Sequence, residues 1–410
     1  MKLLHVTRSM SAKGGGTSEA VRLLCAGLHM QGVESEVVSL NAPDDVTIEL
    51  GCPLHKLGRT RSGYGYSPQL VPWLRDQASR FDAVIVHGIW QYASFGVWRA
   101  WRDMRQRHSG SPAKGYPPYF LFPHGMMDPW FKRQYPLKHL KKYVYWLLAE
   151  QWVFRRAVAV IFTADEERRL ARQSFRWYQC REKVVPLGIE VPSGLGEALI
   201  AKFQEQWPFL KGKRVLLYLG RLHPKKGPEL AIQAFAAVWW SLPPEERSAC
   251  VLVMAGPVAG TGVGPAYALS LQDLAVTHFP EPEFAESRPI VFTGMLQGDL
   301  KWGALHACEA FLLPSHQENF GIAVVEALAC GKPVLISNQI NIWREIEQDG
   351  AALVGADTLA GTRSCLQRWF QLAEAERSLL GIRARACFEK RFEIGIAAKR
   401  FVTILNEGLV

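Results

Sequence analysis

The chain has 410 residues, of which 48% are hydrophobic, and its formal net charge at pH 7 is +10. A chain of this length is too long to fold around one ordinary hydrophobic core, so two domains are expected. No apolar run reaches the roughly 18 to 20 residues that cross a bilayer, and the first residues are not typical of a signal peptide. The eight cysteines are scattered without a C-x-x-C pair, which favours reduced thiols over a disulfide framework or a zinc site.

The first half of the chain alternates short buried strands with helical stretches. "KLLHVT" precedes the glycine loop "SAKGGG" and an apolar-periodic helix, for which Thr17 or Ser18 is the candidate N-cap. Further strands are expected at "SEVVSL", "DAVIVHG", "YFLFPHG" and "AVAVIFTA". This alternation predicts a parallel sheet covered by helices on both faces.

The alternation pauses near "KVVPLGIEVP", where proline and glycine interrupt it. It restarts with "RVLLYLG", "CVLVMAG", "PIVFTG", "AFLLPS" and "PVLIS". We therefore predict two α/β lobes joined near residue 190. Open parallel sheets bind ligands beyond the carboxyl ends of their strands, so we expect the site in a cleft between the two lobes.

Two strand-end loops have groups that suit phosphate. Gly15 and Gly16 stand ahead of a helix, where bare backbone and free N–H groups allow close approach of an anion. Arg221 and Lys226 follow the strand that ends at Gly220, and two cations there match the charge of a diphosphate. Each loop alone is also compatible with an ordinary surface turn, and the glycine loop is neither G-x-G-x-x-G nor a Walker loop.

The stretch "SHQENFGIAVVEALACGKPV" contains two glutamates eight residues apart, Glu318 and Glu326. We expect a helix that begins at about Gly321, with Glu318 in the loop ahead of it and Glu326 on its body. The two carboxylates are then expected to hold different parts of one ligand. The alternative is that Glu326 is the solvent-facing stripe of an amphipathic helix, although its neighbours at helical spacing are apolar. Backbone N–H groups expected at the same ligand are those of Asn319, Phe320 and Gly321.

Two other strand ends leave alternatives open. His124 follows the strand in "YFLFPHG" and is either a buried structural histidine or a group that faces the cleft for catalysis or sugar contact. The glycine-rich loop in "VMAGPVAGTGVGP" either closes over a ligand or is a surface loop.

The positive charge is concentrated between Phe131 and Lys183, and aromatic residues are interleaved with the first half of this stretch. It is either a solvated helical face or a patch that rests on anionic lipid head groups. Nucleic acid is less favoured because no recognition motif accompanies the charge. The residues that the lipid interpretation places at a membrane are Lys132, Arg133, Lys138, Lys141 and Lys142.

The glutamate pair, with "GRLHPKKG" upstream, makes the chain resemble the large family of retaining GT-B glycosyltransferases, the glycosyl transferases group 1. The resemblance extends over essentially the whole chain, and "PHGMMDPW" is similar to a bacterial surface-polysaccharide subgroup. It implies an α/β fold of two Rossmann-like parallel-sheet domains that face a deep cleft. Residues 1–188 would bind the acceptor and residues 189–392 the nucleotide-sugar donor. The C-terminal helix, residues 393–410, would pack back on the first domain.

The resemblance also implies roles for the matching residues. Glu318 contacts the donor sugar, Glu326 holds the ribose hydroxyls, and His124 lies near the reacting face of the sugar. The predicted catalytic residues are His124, Glu318, Arg221 and Lys226. The predicted donor-binding residues are Gly15, Gly16, Gly220, Arg221, Lys226, Met295, Glu318, Asn319, Phe320, Gly321 and Glu326. The predicted acceptor-binding residues are Trp90, Tyr92, Asp128 and Trp130.

The implied reaction moves a hexosyl group from a UDP- or GDP-sugar to a glycan or lipid-linked acceptor with retention of configuration, in polysaccharide or lipopolysaccharide biosynthesis. The leaving phosphate would take the acceptor's proton in a front-face attack. No D-x-D motif occurs, so neither a metal nor another cofactor is expected. Rival interpretations are a GT-B epimerase or phosphorylase and a non-enzymatic basic adaptor. We expect a cytoplasmic protein, peripheral on the inner face of the plasma membrane.

Overall fold

The structure is a computed structural model of the 410-residue chain, and it describes residues 1–11, 15–58, 63–107, 117–192, 194, 196–257, 265–280 and 288–409. These residues form two compact units. The first comprises residues 1–190 together with 392–410, and the second comprises residues 191–391. The chain therefore leaves the first unit at Glu190 and returns to it at Phe392.

The named strands are β1 Lys2–Thr7, β2 Glu34–Ser39, β3 Leu54–Lys56, β4 Ala83–His87, β5 Tyr119–Phe122, β6 Val160–Phe162, β7 Glu182–Val184, β8 Arg214–Leu219, β9 Cys250–Ala255, β10 Ile290–Gly294, β11 Ala310–Leu313, β12 Val334–Ser337 and β13 Ala352–Gly355. The first unit has a seven-stranded sheet in the order β3-β2-β1-β4-β5-β6-β7. The second has a six-stranded sheet in the order β10-β9-β8-β11-β12-β13. All pairings between these strands are parallel.

The helices are α1 Gly16–Met30, α2 Leu70–Gln77, α3 Tyr92–Arg107, α4 Trp130–Gln134, α5 Pro136–Tyr145, α6 Gln151–Arg156, α7 Asp165–Ala171, α8 Gly196–Gln206, α9 Pro228–Trp239, α10 Pro244–Ala249, α11 Pro265–His278, α12 Gly298–Ala307, α13 Ile322–Ala329, α14 Trp343–Gln348, α15 Leu359–Gln371, α16 Glu374–Arg391 and α17 Ile394–Leu409. A π-helical turn, Trp146–Glu150, joins α5 to α6. Among the described helices, none combines the length and apolar character that crossing a bilayer requires.

The central strands are buried along their whole length. Every residue of β4, β5, β9 and β11 is buried, and these strands are runs of apolar residues rather than alternating ones. A parallel sheet covered on both faces needs such runs, because neither face of the strand meets water. The predicted doubly covered sheets are confirmed in each unit.

One local prediction is wrong. Neither Thr17 nor Ser18 caps α1, because the helix begins at Gly16 with Gly15 as its N-cap and no side chain closes its first turn. The Ser18 hydroxyl instead donates to the backbone oxygen of Ser9 at 3.1 Å. The helix therefore begins earlier than the capping residues suggest, and no side chain among the described residues caps its first turn.

The C-terminal helix α17 completes the core of the first unit. Phe401 and Leu405 are fully buried in a cluster that includes Phe120 and Phe122 of β5. Helix α1 approaches α17 closely at Gly27, where an added Cβ would lie 3.0 Å from the Ala398 Cβ. The sheet of the first unit is therefore covered in part by residues from the far end of the chain.

We expect Phe401→Ala to destabilise the first unit by about 3–5 kcal/mol, because it leaves a cavity in this cluster. Thermal and denaturant unfolding would measure the loss. The matched control is Asn406→Ala, an exposed position on the same helix that should leave the transition unchanged. Equal transitions for the wild type and Phe401→Ala would contradict the packing described here.

Candidate functional site

The loop after β8 brings the two predicted phosphate-binding cations to one end of the second sheet. Arg221 is exposed directly beyond the strand, and Lys226 ends a short helical turn, Pro224–Lys226. Gly227 then adopts a left-handed conformation with φ 63°, and a Cβ there would lie 2.4 Å from the Pro314 oxygen. Only glycine allows this close approach, so the loop after β8 is fixed against the end of β11.

Lys226 and Glu318 form an ion pair in which both side chains are largely buried. Burial, together with the nearby Lys225 and Arg221, lowers the pKa of Lys226 to about 7. The pair thus joins two predicted catalytic residues from neighbouring strand ends.

The segment containing Glu318 is fixed by backbone hydrogen bonds. The Glu318 N–H donates to the Gln339 oxygen at 3.0 Å, and the Asn341 N–H donates to the Glu318 oxygen at 3.1 Å. Gly321 is the N-cap of α13 with φ 80°, a conformation that disfavours a side chain. Between them, Asn319 accepts from the Asn341 side chain at 3.3 Å and Phe320 is buried. The carboxylate of Glu318 is therefore presented from a rigid loop.

Glu326 lies on the body of α13 and is only 8% exposed, so the alternative of a solvent-facing stripe is wrong. Its Oε1 accepts from the Lys301 Nζ of α12 at 2.6 Å. A buried carboxylate is stable there because this cation balances its charge. Lys301 was not predicted from the sequence, since nothing in its own helix distinguishes it from an ordinary surface lysine. We add it to the candidate site.

The remaining predicted donor residues of the second unit lie beyond neighbouring strands. Gly220 follows β8, and an added Cβ would meet nothing nearer than 3.9 Å. Packing alone does not require glycine at this position. Met295 follows β10 and is 55% exposed. The predicted closing loop after β9 lies largely at residues 258–264, outside the described part of the chain.

In the first unit, Gly15 and Gly16 lie at the N-terminus of α1. Gly15 has φ 69°, and a Cβ added to either glycine would meet no atom within 4 Å. Among the described residues, the space that a side chain at Gly15 or Gly16 would occupy is therefore empty. That these glycines approach a diphosphate stays a prediction.

His124 lies beyond β5 in a strained, left-handed conformation with φ 51°. Its Nε2 lies 3.0 Å from the Nδ1 of His87, at the end of β4. The next residue, Gly125, donates its N–H to the buried carboxylate of Glu167 at 2.6 Å. Burial lowers the pKa of His124 to about 4, so the imidazole is neutral at ordinary pH. His124 is partly exposed, which leaves both of its predicted alternatives open.

The four predicted acceptor-binding residues differ in solvent exposure. Trp90 is half-buried with φ 64°, and its Nε1–H donates to the Met126 oxygen at 3.1 Å. Tyr92 is buried, and its ring packs on other aromatic rings. The buried Asp128 accepts the Trp130 N–H at 2.8 Å and so holds the start of α4. Trp90 and Trp130 are therefore partly exposed, whereas Tyr92 and Asp128 are buried. That these four residues bind the acceptor stays a prediction.

The basic stretch contains an exposed apolar row that the charge pattern did not indicate. Helix α5 has no buried residue. The exposed apolar side chains of this row, which runs along α5, the π-helical turn and the start of α6, are Leu137, Leu140, Val144, Leu148 and Trp152. Lys138 and Lys141 are exposed in the same region, whereas the Lys142 Nζ lies over the rings of Trp90 and Phe131 at 5.3 and 5.1 Å. The stretch is thus not a uniformly polar helical face, and the Arg133 side chain lies outside the described residues.

Two family descriptions match the chain in sequence. "Glycosyl transferase 4-like domain" matches residues 15–188, and "Glycosyl transferases group 1" matches residues 200–358. The chain is also similar to the D-inositol 3-phosphate glycosyltransferase of Kineococcus radiotolerans, at 28% identity over 53% of this chain and 47% of the relative. The enzyme of the same name from Saccharomonospora viridis is 34% identical over 30% of this chain and 26% of its own. The matches thus span about half or less of these relatives.

Solved structures share the fold over the whole chain. HepE from Anabaena in complex with UDP and glucose has a TM-score of 0.71 at 16% identity, with 99% of each chain covered. WaaG, a glycosyltransferase involved in lipopolysaccharide biosynthesis, has a TM-score of 0.65 at 16% identity, again with 99% of each chain covered. These likenesses confirm the predicted fold class. With both family descriptions matched in order along one chain, the protein belongs to the group 1 glycosyltransferases of the GT-B fold.

Proposed function

We propose that this protein is a retaining glycosyltransferase that moves a hexosyl group from a nucleotide-sugar donor to a glycan or lipid-linked acceptor. The observation that carries the proposal is the contact of Lys226 with Glu318, beside Arg221, at one edge of the second sheet. Cations and a carboxylate at the ends of adjacent parallel strands suit a ligand that has both a diphosphate and sugar hydroxyls.

The ion pair suggests how the donor binds. A diphosphate is a stronger partner for Lys226 than one carboxylate, because it has more charge and more acceptor oxygens. Its arrival would free Glu318 to accept hydrogen bonds from the donor sugar. Lys226 and Arg221 would then stabilise the negative charge that grows on the leaving diphosphate as the sugar bond breaks. In this proposal these two cations take the place of a metal ion, and no cofactor takes part.

Glu326 is proposed to hold the ribose of the nucleotide. A carboxylate accepts hydrogen bonds from the two ribose hydroxyls, and the Lys301 ammonium balances its charge. The solved HepE structures were obtained with UDP, with UDP and glucose, and with UDP-glucose, which makes a UDP-sugar the first donor to test here. GDP-sugars are the second.

A thermal-shift screen of UDP, GDP and ADP sugars tests the donor class. The sugar released or transferred from the stabilising donor is then followed by proton NMR, which reports the configuration at the anomeric carbon. An initial product with the configuration of the donor supports retention. An inverted product rejects the proposed chemistry, and release of an epimerised free sugar without transfer would favour an epimerase.

We expect Glu326→Ala and Arg221→Ala each to weaken nucleotide binding by about 1.5–3 kcal/mol, the size of one charge-assisted hydrogen bond. Titration calorimetry with UDP and with GDP measures this, and thermal unfolding checks that the variants fold. The matched control is Glu347→Ala, an exposed glutamate of the same unit. Wild-type affinity in both site variants would contradict the assignment.

We expect nucleoside diphosphate binding to weaken as pH rises from 7 to 9. The pKa of Lys226 is lowered to about 7, and only its protonated form attracts a phosphate. Loss of that proton removes a positive charge, so affinity falls with rising pH. Lys226→Arg is the control, because arginine stays charged throughout this range and should bind with little pH dependence. Equal pH profiles for both proteins would show that Lys226 does not titrate in the site.

We further propose that the acceptor is lipid-linked and that the protein is cytoplasmic and peripheral on an anionic membrane face, in bacterial polysaccharide or lipopolysaccharide biosynthesis. The exposed apolar row of α5 and α6, with Lys138 and Lys141 beside it, supports this proposal. Apolar side chains enter the head-group region while lysines attract anionic lipids, at about 1 kcal/mol for each basic residue.

The membrane proposal predicts sedimentation with liposomes that contain anionic lipid but not with neutral ones, and loss of binding at high salt. Replacing Lys138 and Lys141 by glutamate should abolish binding and leave UDP affinity unchanged. Lys142 is left in place because it packs on Trp90 and Phe131. The control with the same charge change is Lys211→Glu with Lys399→Glu, two exposed lysines outside the row. If the wild-type protein does not bind anionic liposomes at low salt, the exposed apolar row does not dock on a membrane.

A further inference from the structure

Three histidines form a hydrogen-bonded chain that runs from the interior of the first sheet to its carboxyl edge. The His5 Nδ1 lies 3.0 Å from the His87 Nε2, and the His87 Nδ1 lies 3.0 Å from the His124 Nε2. The rings stack with interplanar angles of 20° and 18°. Because β1, β4 and β5 are neighbours, parallel pairing places these rings in one line.

All three imidazoles are neutral. Burial lowers the pKa of His5 to about 3 and that of His124 to about 4. The pKa of His87 lies well below its usual value because of burial and because a histidine lies on each side. Each ring therefore has one N–H and one free lone pair, so both hydrogen bonds of the chain must point in the same direction.

The inner end of the row of three histidines indicates the direction of both hydrogen bonds. The His5 Nε2 is buried and has no hydrogen-bond partner among the described residues. If the hydrogens pointed inward, this nitrogen would be a buried N–H without an acceptor, which is the rarer and costlier arrangement. If they point outward, His5 donates to His87, His87 donates to His124, and only a lone pair is left unmatched. The outward direction leaves His124 with its N–H on Nδ1.

We propose that His5 and His87 are positioning residues that fix His124 as a neutral imidazole with Nδ1–H available to a ligand oxygen. His124 would then offer one hydrogen bond and no charge at the reacting face of the sugar. The contact with the sugar rests on the proposed function, whereas the assignment of the tautomer does not. The described residues form no hydrogen bond to the His124 Nδ1, and the side chain is partly exposed.

A neutral donor suits this reaction better than an imidazolium. Positive charge grows on the sugar as the bond to the diphosphate breaks, and a cation beside it would raise the barrier. An ordinary exposed histidine would be partly protonated at pH 6 to 7. The titratable groups nearest His124 are His87 on β4, His5 behind it on β1, and Glu167 on α7, which accepts the Gly125 N–H. Burial keeps His124 neutral, and in the outward direction its Nε2 lone pair accepts the His87 N–H.

The first test is nitrogen NMR of histidine-labelled protein, which separates protonated from unprotonated ring nitrogens and needs no substrate. The His124→Gln variant assigns the signal among the 11 histidines. We expect wild-type His124 to carry its proton on Nδ1 from pH 6 to 8. A proton on Nε2, or a mixture of both forms, would overturn the proposal, and this measurement requires no destabilised variant.

The second test uses His87→Phe, which keeps an aromatic ring in the stack but removes both hydrogen bonds. We expect a mixed tautomer at His124 and a kcat about tenfold lower, because part of the protein then lacks the Nδ1–H. Phe122→Leu is the matched control, because Phe122 stacks on both His87 and His124 without joining the chain. It should alter packing but leave the tautomer as in the wild type.

The tautomer and the kinetic measurements together show which part of the proposal fails. An unchanged tautomer in His87→Phe overturns the positioning role. A changed tautomer with wild-type kcat overturns the link to catalysis while leaving the geometry intact. If wild-type protein has the expected tautomer but transfers no sugar from any nucleotide donor, the proposed function fails instead.

Discussion

Parallel pairing of the strands is the constraint on which the rest of the structure depends. It brings the carboxyl ends of all strands in a sheet to one edge, and the loops there are short enough to be fixed by backbone bonds. In the second unit this edge has Arg221 and Lys226 after β8 and Glu318 after β11, two strands that are neighbours in the sheet. In the first unit it has His87 as the last residue of β4 and His124 after β5. Lys226 and Glu318, which are nearly a hundred residues apart in the sequence, are therefore in direct contact.

In both units several polar side chains are buried and already paired. Lys226 is paired with Glu318, Glu326 with Lys301, and the Glu167 carboxylate with backbone N–H groups. Burying such groups without partners would cost several kcal/mol each. Side chains paired in this way are already ordered, so under the proposed function little side-chain entropy remains to be lost on donor binding. Exchange of partners, rather than ordering of loose side chains, is then the main event.

The family, the two α/β units and the strand-end positions of Glu318 and Arg221 could all be predicted from the sequence. Each of these features depends on local periodicity or on residues that are close together in the chain. The capping of α1 was wrong, since a favourable Ser or Thr does not ensure that the helix begins after it. Lys301 was missed because its partner is on another helix. His5 and His87 were read as parts of buried strands, and only the register between β1, β4 and β5 reveals that their rings meet. The exposed row of α5 was hidden because apolar residues at helical spacing usually mark a core-facing side.

The return of α17 to the first unit has a consequence for biosynthesis. Residues 1–190 emerge from the ribosome first, yet the apolar surface that Phe401 and Leu405 cover stays exposed until the second unit has been made. The second unit is one continuous segment and can fold as soon as it emerges. At about 5–20 residues per second, the first unit waits on the order of ten seconds or more for its last helix. Nascent chains stalled before residue 392 should therefore engage chaperones through this uncovered face.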